Sequence, residues 1–178
     1  MNTSEEHKSH TKRGYTIGFA TISSSRYHDH EGARNPSEAD DASGAIIIDA
    51  LHDLGHTVRY SLLPDDISLI REWLEGAVAS PDTDAIITTG GTGLAPRDVT
   101  IEAAGPLLEK EIPGFGEIFR RESMDEIGHA AMLTRAIAGI IQGRAVFCMP
   151  GSPNAVRLGI SIIASELGHV VEHARGRV

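Results

Sequence analysis

Ala85-Ile86-Ile87-Thr88-Thr89-Gly90-Gly91-Thr92-Gly93 reads as a short strand that runs straight into a glycine turn. Its apolar and β-branched residues carry the strand signal, and the glycines punctuate it. A helix is expected to begin beyond the turn, near Val99 or Thr100. Toward the N-terminus, Tyr15 to Ile22 forms a first buried strand. Ile46, Ile47, Ala50, Leu51 and Leu54 recur at three and four residues, predicting a helix with one buried stripe that stops at Gly55. His56 to Leu63 gives a second strand, and Pro64, Asp65 and Asp66 lead into a helix marked by Ile67, Ile70, Leu74, Ala77 and Val78. Strand and helix thus alternate, which implies an α/β fold of three layers, a mainly parallel sheet with helices on both faces. Ligands in such sheets sit at the carboxyl ends of the strands, where the glycine turn lies.

The C-terminal part is less regular. Gly114 to Gly128 suggests short helical pieces joined by glycines. Arg135 to Ile141 and Arg144 to Met149 are strand candidates, and Gln142 with Gly143 between them suits a tight hairpin. After Pro150, Gly151, Ser152 and Pro153, a last helix buries Val156, Ile160, Ile163, Leu167 and Val171. Residues 26–40, with Gly32, Asn35 and Pro36, read as a long surface loop.

A chain of 178 residues is long enough for one substantial core and short for two ordinary domains, so residues 14–178 are expected to form a single domain. Residues 1–13 are polar and are expected to form a disordered arm. A net charge of -9, with no basic cluster, argues against nucleic acid as a partner. The polar start lacks the apolar segment of a signal peptide, and no later stretch approaches a membrane span. A cytoplasmic protein is the expectation. Cys148 is the single cysteine, which excludes an intrachain disulfide, and it reads as a packed apolar thiol.

The chemistry gathers at the turns. Thr89, Gly90, Gly91, Thr92 and Gly93 leave backbone N–H groups unshielded and could cradle a nucleotide phosphate, or could be no more than a tight connection. The Lys and Ser or Thr of a P-loop are missing. Asp98 lies at the mouth of the same turn, and Asp65 leaves the neighbouring strand. Each either caps the next helix or joins a shared Mg²⁺ site with phosphate oxygens. Gly151, Ser152 and Asn154 offer a second anion site at a helix N-terminus, and ordinary capping by Ser152 explains the same letters. Two anion sites suggest a reaction that joins two phosphate-bearing molecules. His28, Asp29, His30 and Glu31 contain metal-ligand types, but a loop gives them no fixed geometry and they read as solvated surface.

Taken together, Thr88 to Gly93, Pro96-Arg97-Asp98-Val99-Thr100, Pro113-Gly114-Phe115-Gly116-Glu117, Arg120, Thr134-Arg135-Ala136 and Pro150-Gly151-Ser152-Pro153 resemble the MoaB/Mog family of molybdenum cofactor biosynthesis, across residues 14–170. Asp41 and Ser43-Gly44 are similar to a further family element. The resemblance implies a molybdopterin-binding α/β fold and a cytoplasmic homo-oligomer, trimer or hexamer, that works beside other cofactor-biosynthesis proteins. It implies an adenylyltransferase that joins molybdopterin to the adenylyl group of ATP with Mg²⁺ and releases pyrophosphate. By the same resemblance Asp65 and Asp98 are the catalytic, magnesium-holding acids, and Thr89 to Gly93 bind the nucleotide phosphates. Arg135, Gly151, Ser152 and Asn154 belong to the pterin-phosphate side. Residues 121–128 are similar to the MoaB branch, some of whose members lack the catalytic acid; with Asp98 present, an active enzyme is expected. Two other readings stay open: a pterin-binding oligomeric carrier without turnover, and a nucleotide hydrolase of the CinA type.

Overall fold

The computed structural model describes residues 14–176, so the expected arm at residues 1–13 lies outside the described residues. Six strands form one sheet: β1 (Thr16–Ile22), β2 (Thr57–Leu63), β3 (Ala85–Thr89), β4 (Lys110–Glu111), β5 (Ile137–Ile141) and β6 (Arg144–Met149). Their order is β2-β1-β3-β6-β5-β4. β2, β1, β3 and β6 run parallel, while β5 is antiparallel to β6 and β4 antiparallel to β5. The carboxyl ends of four strands, at Ile22, Leu63, Thr89 and Met149, therefore share one edge.

Alternation along the strands sends side chains to two cores. Ile17, Phe19, Ala85, Ile87 and Phe147 pack on α2 (Ala42–Asp53), α5 (Pro113–Ile127) and α6 (Pro153–Ala174). Ala20, Ile22, Ile86, Val146 and Cys148 face α3 (Ile67–Ala79) and α4 (Thr100–Ala104) on the other side. Ile17, Phe19, Ile86 and Ile87 are fully buried, and each such side chain contributes about 2–3 kcal/mol of apolar transfer free energy. Val156, Ile160, Ile163, Leu167 and Val171 form the buried stripe of α6 as expected. No helix among the described residues is long and apolar enough to cross a membrane.

Four features depart from the sequence reading. Residues 26–40 are not loop throughout, because α1 (Ser24–Asp29) occupies their start, with the Ser23 side chain accepting from Arg26 N–H. Having no buried residue, α1 shows no apolar periodicity to read. Residues 114–128 are not separate pieces: α5 is one helix of 15 residues. Its Gly116 marks a close approach, since a Cβ there would lie 2.5 Å from the Ala136 carbonyl oxygen. Leu54 leaves the expected stripe; it is the C-cap of α2 and half exposed, while Gly55 takes φ +82 just beyond it. The two-residue strand β4 carries no apolar signal and was invisible in the sequence. At the hairpin, Gln142 and Gly143 both adopt positive φ, 47° and 73°, as a two-residue turn between twisted strands requires.

Candidate active site

The glycine turn begins where β3 ends, and backbone geometry fixes it. Gly90 takes φ +92 and Gly91 φ +60. Gly90 N–H donates to the Met149 carbonyl at 3.1 Å, and the Thr89 hydroxyl donates to the Pro150 carbonyl at 3.0 Å. The two turns, residues 89–93 and 150–154, are thus tied together. They touch: a Cβ at Gly151 would sit 3.1 Å from Gly90 Cα. Only glycines allow the two backbones this close, so the two turns lie side by side on one edge of the sheet.

Thr100 staples the turn from the far side. Its hydroxyl donates to the Gly90 carbonyl at 2.8 Å and its N–H to the Gly91 carbonyl at 2.9 Å. Arg135, just ahead of β5, grips the same segment. Nε donates to the Thr92 carbonyl at 2.9 Å, and a terminal nitrogen donates to the Gly93 carbonyl at 2.6 Å and the Asp98 carbonyl at 3.3 Å. The guanidinium also pairs with Glu102 at 2.5 Å, and that hydrogen bond holds the Glu102 carboxyl below its ordinary pKa. The family resemblance places Arg135 on the pterin phosphate. In the structure its guanidinium lies on three loop carbonyls and a carboxylate, since carbonyls left free by a non-repetitive turn need donors. Arg135 is a brace of the turn.

The two acids resolve their ambiguity differently. Asp66, not Asp65, caps α3, accepting from Leu69 N–H at 2.9 Å. Asp65 is free of capping and is held by Ser24: its Oδ2 accepts from Ser24 N–H at 2.9 Å and from the Ser24 hydroxyl at 2.8 Å. That hydroxyl in turn accepts from Asp65 N–H at 2.9 Å. Asp98 does not cap α4, whose N-cap Val99 has no side-chain bond; its Oδ2 accepts from Ala95 N–H at 3.0 Å.

Both carboxylates face the glycine turn. A Cβ at Gly91 would lie 2.8 Å from Asp65 Oδ1, and one at Gly93 would lie 2.4 Å from Asp98 Oδ2. Glycines therefore leave room for two carboxylates beside the turn. Among the described residues no group of three or more His, Cys, Asp or Glu side chains gathers as a metal site. Mg²⁺ does not need one: it binds through one or two carboxylates and completes its shell with phosphate oxygens and water, so the donor set present fits it.

On the second turn Ser152 caps α6, accepting from Ala155 N–H at 3.3 Å, and it remains exposed together with Gly151. Asn154 directs its amide nitrogen to Glu126 at the end of α5 and accepts from Arg157. Its side chain therefore ties α6 to α5.

Ser24, Thr100 and Tyr60 are the site residues that sequence reasoning missed. Ser24 lies 41 positions from Asp65, so no local spacing reveals the pair. Tyr60 joins Thr21 around the buried Asp41 carboxylate, donating at 3.1 Å beside Thr21 at 2.6 Å, while Asp41 Oδ1 accepts from Gly44 N–H at 2.9 Å. Burial, reinforced by the Asp41 charge, pushes the Tyr60 phenol well above its ordinary pKa. The trio anchors the start of α2 to the end of β1. His28, Asp29 and Glu31 are exposed. Cys148 is buried and its thiol is pushed up to about 11 by that burial, as suits a packed, unreactive side chain.

Comparison with known proteins adds to this geometry. A family model described as a probable molybdopterin binding domain matches residues 18–169. A molybdopterin adenylyltransferase of Pyrococcus furiosus is 44% identical over 175 residues, covering 96% of this chain and 98% of that protein. Molybdenum cofactor biosynthesis protein B of Halalkalibacterium halodurans is 45% identical over 170 residues, 94% of each chain. Among solved structures, the tungsten cofactor synthesizing protein MoaB from Pyrococcus furiosus superposes with a TM-score of 0.78 at 43% identity, covering 92% of this chain and 99% of that one.

Proposed function

This chain belongs to the MoaB/Mog family of molybdenum cofactor biosynthesis proteins, and we propose that it is a molybdopterin adenylyltransferase. A phosphate oxygen of molybdopterin attacks the α-phosphorus of ATP, a P–O bond forms there, the bond to the β-phosphate breaks, and pyrophosphate leaves with its electron pair. The observation that carries this reading is the direct contact of two glycine turns, with Gly151 against Gly90 and both acids beside the first turn. A reaction between two phosphates needs two phosphate-binding turns side by side, and holding the reactants there supplies much of the acceleration.

In this reading the turn from Thr89 to Gly93 binds the nucleotide phosphates, with Gly91, Thr92 and Gly93 supplying N–H groups while Thr89 and Gly90, bonded to Pro150 and Met149, hold the turn in shape. Gly151 and Ser152, at the positive end of the 22-residue helix α6, receive the pterin phosphate. Asp65 and Asp98 hold Mg²⁺, which supplies charge neutralisation at the phosphates when bound. Ser24 fixes the Asp65 carboxylate, while Thr100 and Arg135 keep the turn from collapsing as charge develops on it. Asn154 supports the second turn through Glu126.

Residues 14–178 act as one domain, supported by a sheet that recruits strands from Thr16 to Met149. The protein works in the cytoplasm beside other enzymes of the pathway, and as a homo-oligomer, trimer or hexamer. Met124, Ile127, Met132 and Leu133, at the end of α5 and the 3-10 turn after it, are exposed apolar side chains that a subunit contact would cover. Met132→Asp with Leu133→Asp is expected to lower the mass measured by light scattering; an unchanged mass would place the contact elsewhere.

The test of function is pyrophosphate release by the purified protein with MgATP, with and without molybdopterin. Release that requires the pterin is the expected result. Pterin binding without turnover would instead establish a carrier, and release without pterin a nucleotide hydrolase of the CinA type.

A further inference from the structure

Helix α6 carries His169 and His173 one turn apart, exposed, near its C-terminal end and outside the site described above. Their rings are tilted by 49° with centroids 4.4 Å apart, and the two Nε2 atoms approach to 2.7 Å. In that arrangement a single proton is shared between two lone pairs. Glu166, one turn earlier, sets its Oε2 3.6 Å from His169 Nδ1. A carboxylate there favours the proton on Nδ1 and leaves the Nε2 lone pair for a ligand, the outer-shell arrangement that metal-bound imidazoles use. Arg175, the cation at the helix end, is paired with Asp84 and Glu172, so its charge is offset.

We propose that His169 and His173 form a two-imidazole chelate for a divalent first-row transition ion, separate from the Mg²⁺ that serves phosphate chemistry. The ion binds both Nε2 atoms, the ring that carried the Nε2 proton takes its neutral tautomer with the proton on Nδ1 by exchange with solvent, and water fills the remaining positions. In the hydrogen-bonded pair each Nε2 points at the other, so both rings turn slightly outward before they meet one ion. Imidazole nitrogens one helical turn apart suit Cu²⁺ and Ni²⁺, which bind this donor type tightly and complete their shells with water. Hard Mg²⁺, which takes oxygen ligands, is excluded by the donor type.

The test is calorimetric titration of the full chain with NiCl2 and CuCl2, beside His173→Gln and the double variant His169→Gln/His173→Gln. Glutamine keeps the helix, since both positions are exposed and it is a good helix former. Loss of the second imidazole is expected to weaken one Ni²⁺ site by about tenfold or more, because it removes the chelate. The metal-induced rise in melting temperature should vanish with it. For Cu²⁺, electron paramagnetic resonance should show coupling to two nitrogens in the wild type and one in His173→Gln. Unchanged stoichiometry and affinity in the double variant would overturn the proposal and assign the ion to the other histidines of the chain.

Discussion

Replacing Asp98 by Asn lowers the rate of adenylyl transfer by about 10²–10³-fold while leaving the urea unfolding midpoint close to that of the wild type. The two effects separate because of what the side chain touches. Asp98 Oδ2 accepts from Ala95 N–H at 3.0 Å, and an amide oxygen can keep that bond, so the turn retains its shape while the charge disappears. Asp98→Ala loses the bond as well and is expected to cost about a further 1 kcal/mol of stability. Asp65→Asn should match Asp98→Asn in rate, because both carboxylates flank the same turn beside Gly91 and Gly93. The double variant should be little slower than either single one, as befits groups that act on one bound ion. Both variants should also need more Mg²⁺ for half-maximal rate. A fully active Asp98→Asn would remove the acid from the mechanism and reduce it to a turn-former.

Much of this site was legible in the chain because its parts are local. Ala85 to Thr89 is a strand at the residues expected, and the turn after it begins at Gly90 as written. The hairpin at Gln142 and Gly143 and the stripe of α6 follow from spacing alone. What could not be read has a common physical cause: it depends on where distant segments meet. Gly116 looks like a helix breaker until the Ala136 carbonyl is seen lying against it, and then it is the reason α5 can pack on the sheet. Arg135 carries the same letters whether it binds a ligand or braces a loop. Only the positions of the Thr92, Gly93 and Asp98 carbonyls reveal the bracing contacts. Ser24 belongs to a short polar helix with no buried face, so its bond to Asp65 leaves no periodic trace.

Gly90→Ala is expected to have the largest effect on stability, about 3–4 kcal/mol, a large share of what a domain of this size possesses. Two costs add. At φ +92 an alanine is strained wherever it sits, and here its Cβ would lie 2.3 Å from the Ile22 carbonyl oxygen. That oxygen belongs to the backbone at the end of β1 and cannot rotate away, so either the strand end or the turn must move. Moving the turn breaks the Gly90 bonds to Met149 and Thr100 and opens the contact with Gly151, so ATP binding should fall together with the urea midpoint. Gly93→Ala makes the contrast. Its Cβ would meet the Asp98 carboxylate, the end of a side chain that can swing aside. Stability should then change by less than about 1 kcal/mol, while the rate drops about tenfold because the acid has been displaced. Gly76→Ala, on the open face of α3 with nothing within 4 Å, should raise stability by about 1 kcal/mol and leave the rate alone. The three substitutions add the same methyl group and differ in the backbone that must hold it and in what it meets. A Gly90→Ala variant that unfolds at the wild-type urea concentration and binds ATP normally would show that the contact between the two turns is not what holds the site in place.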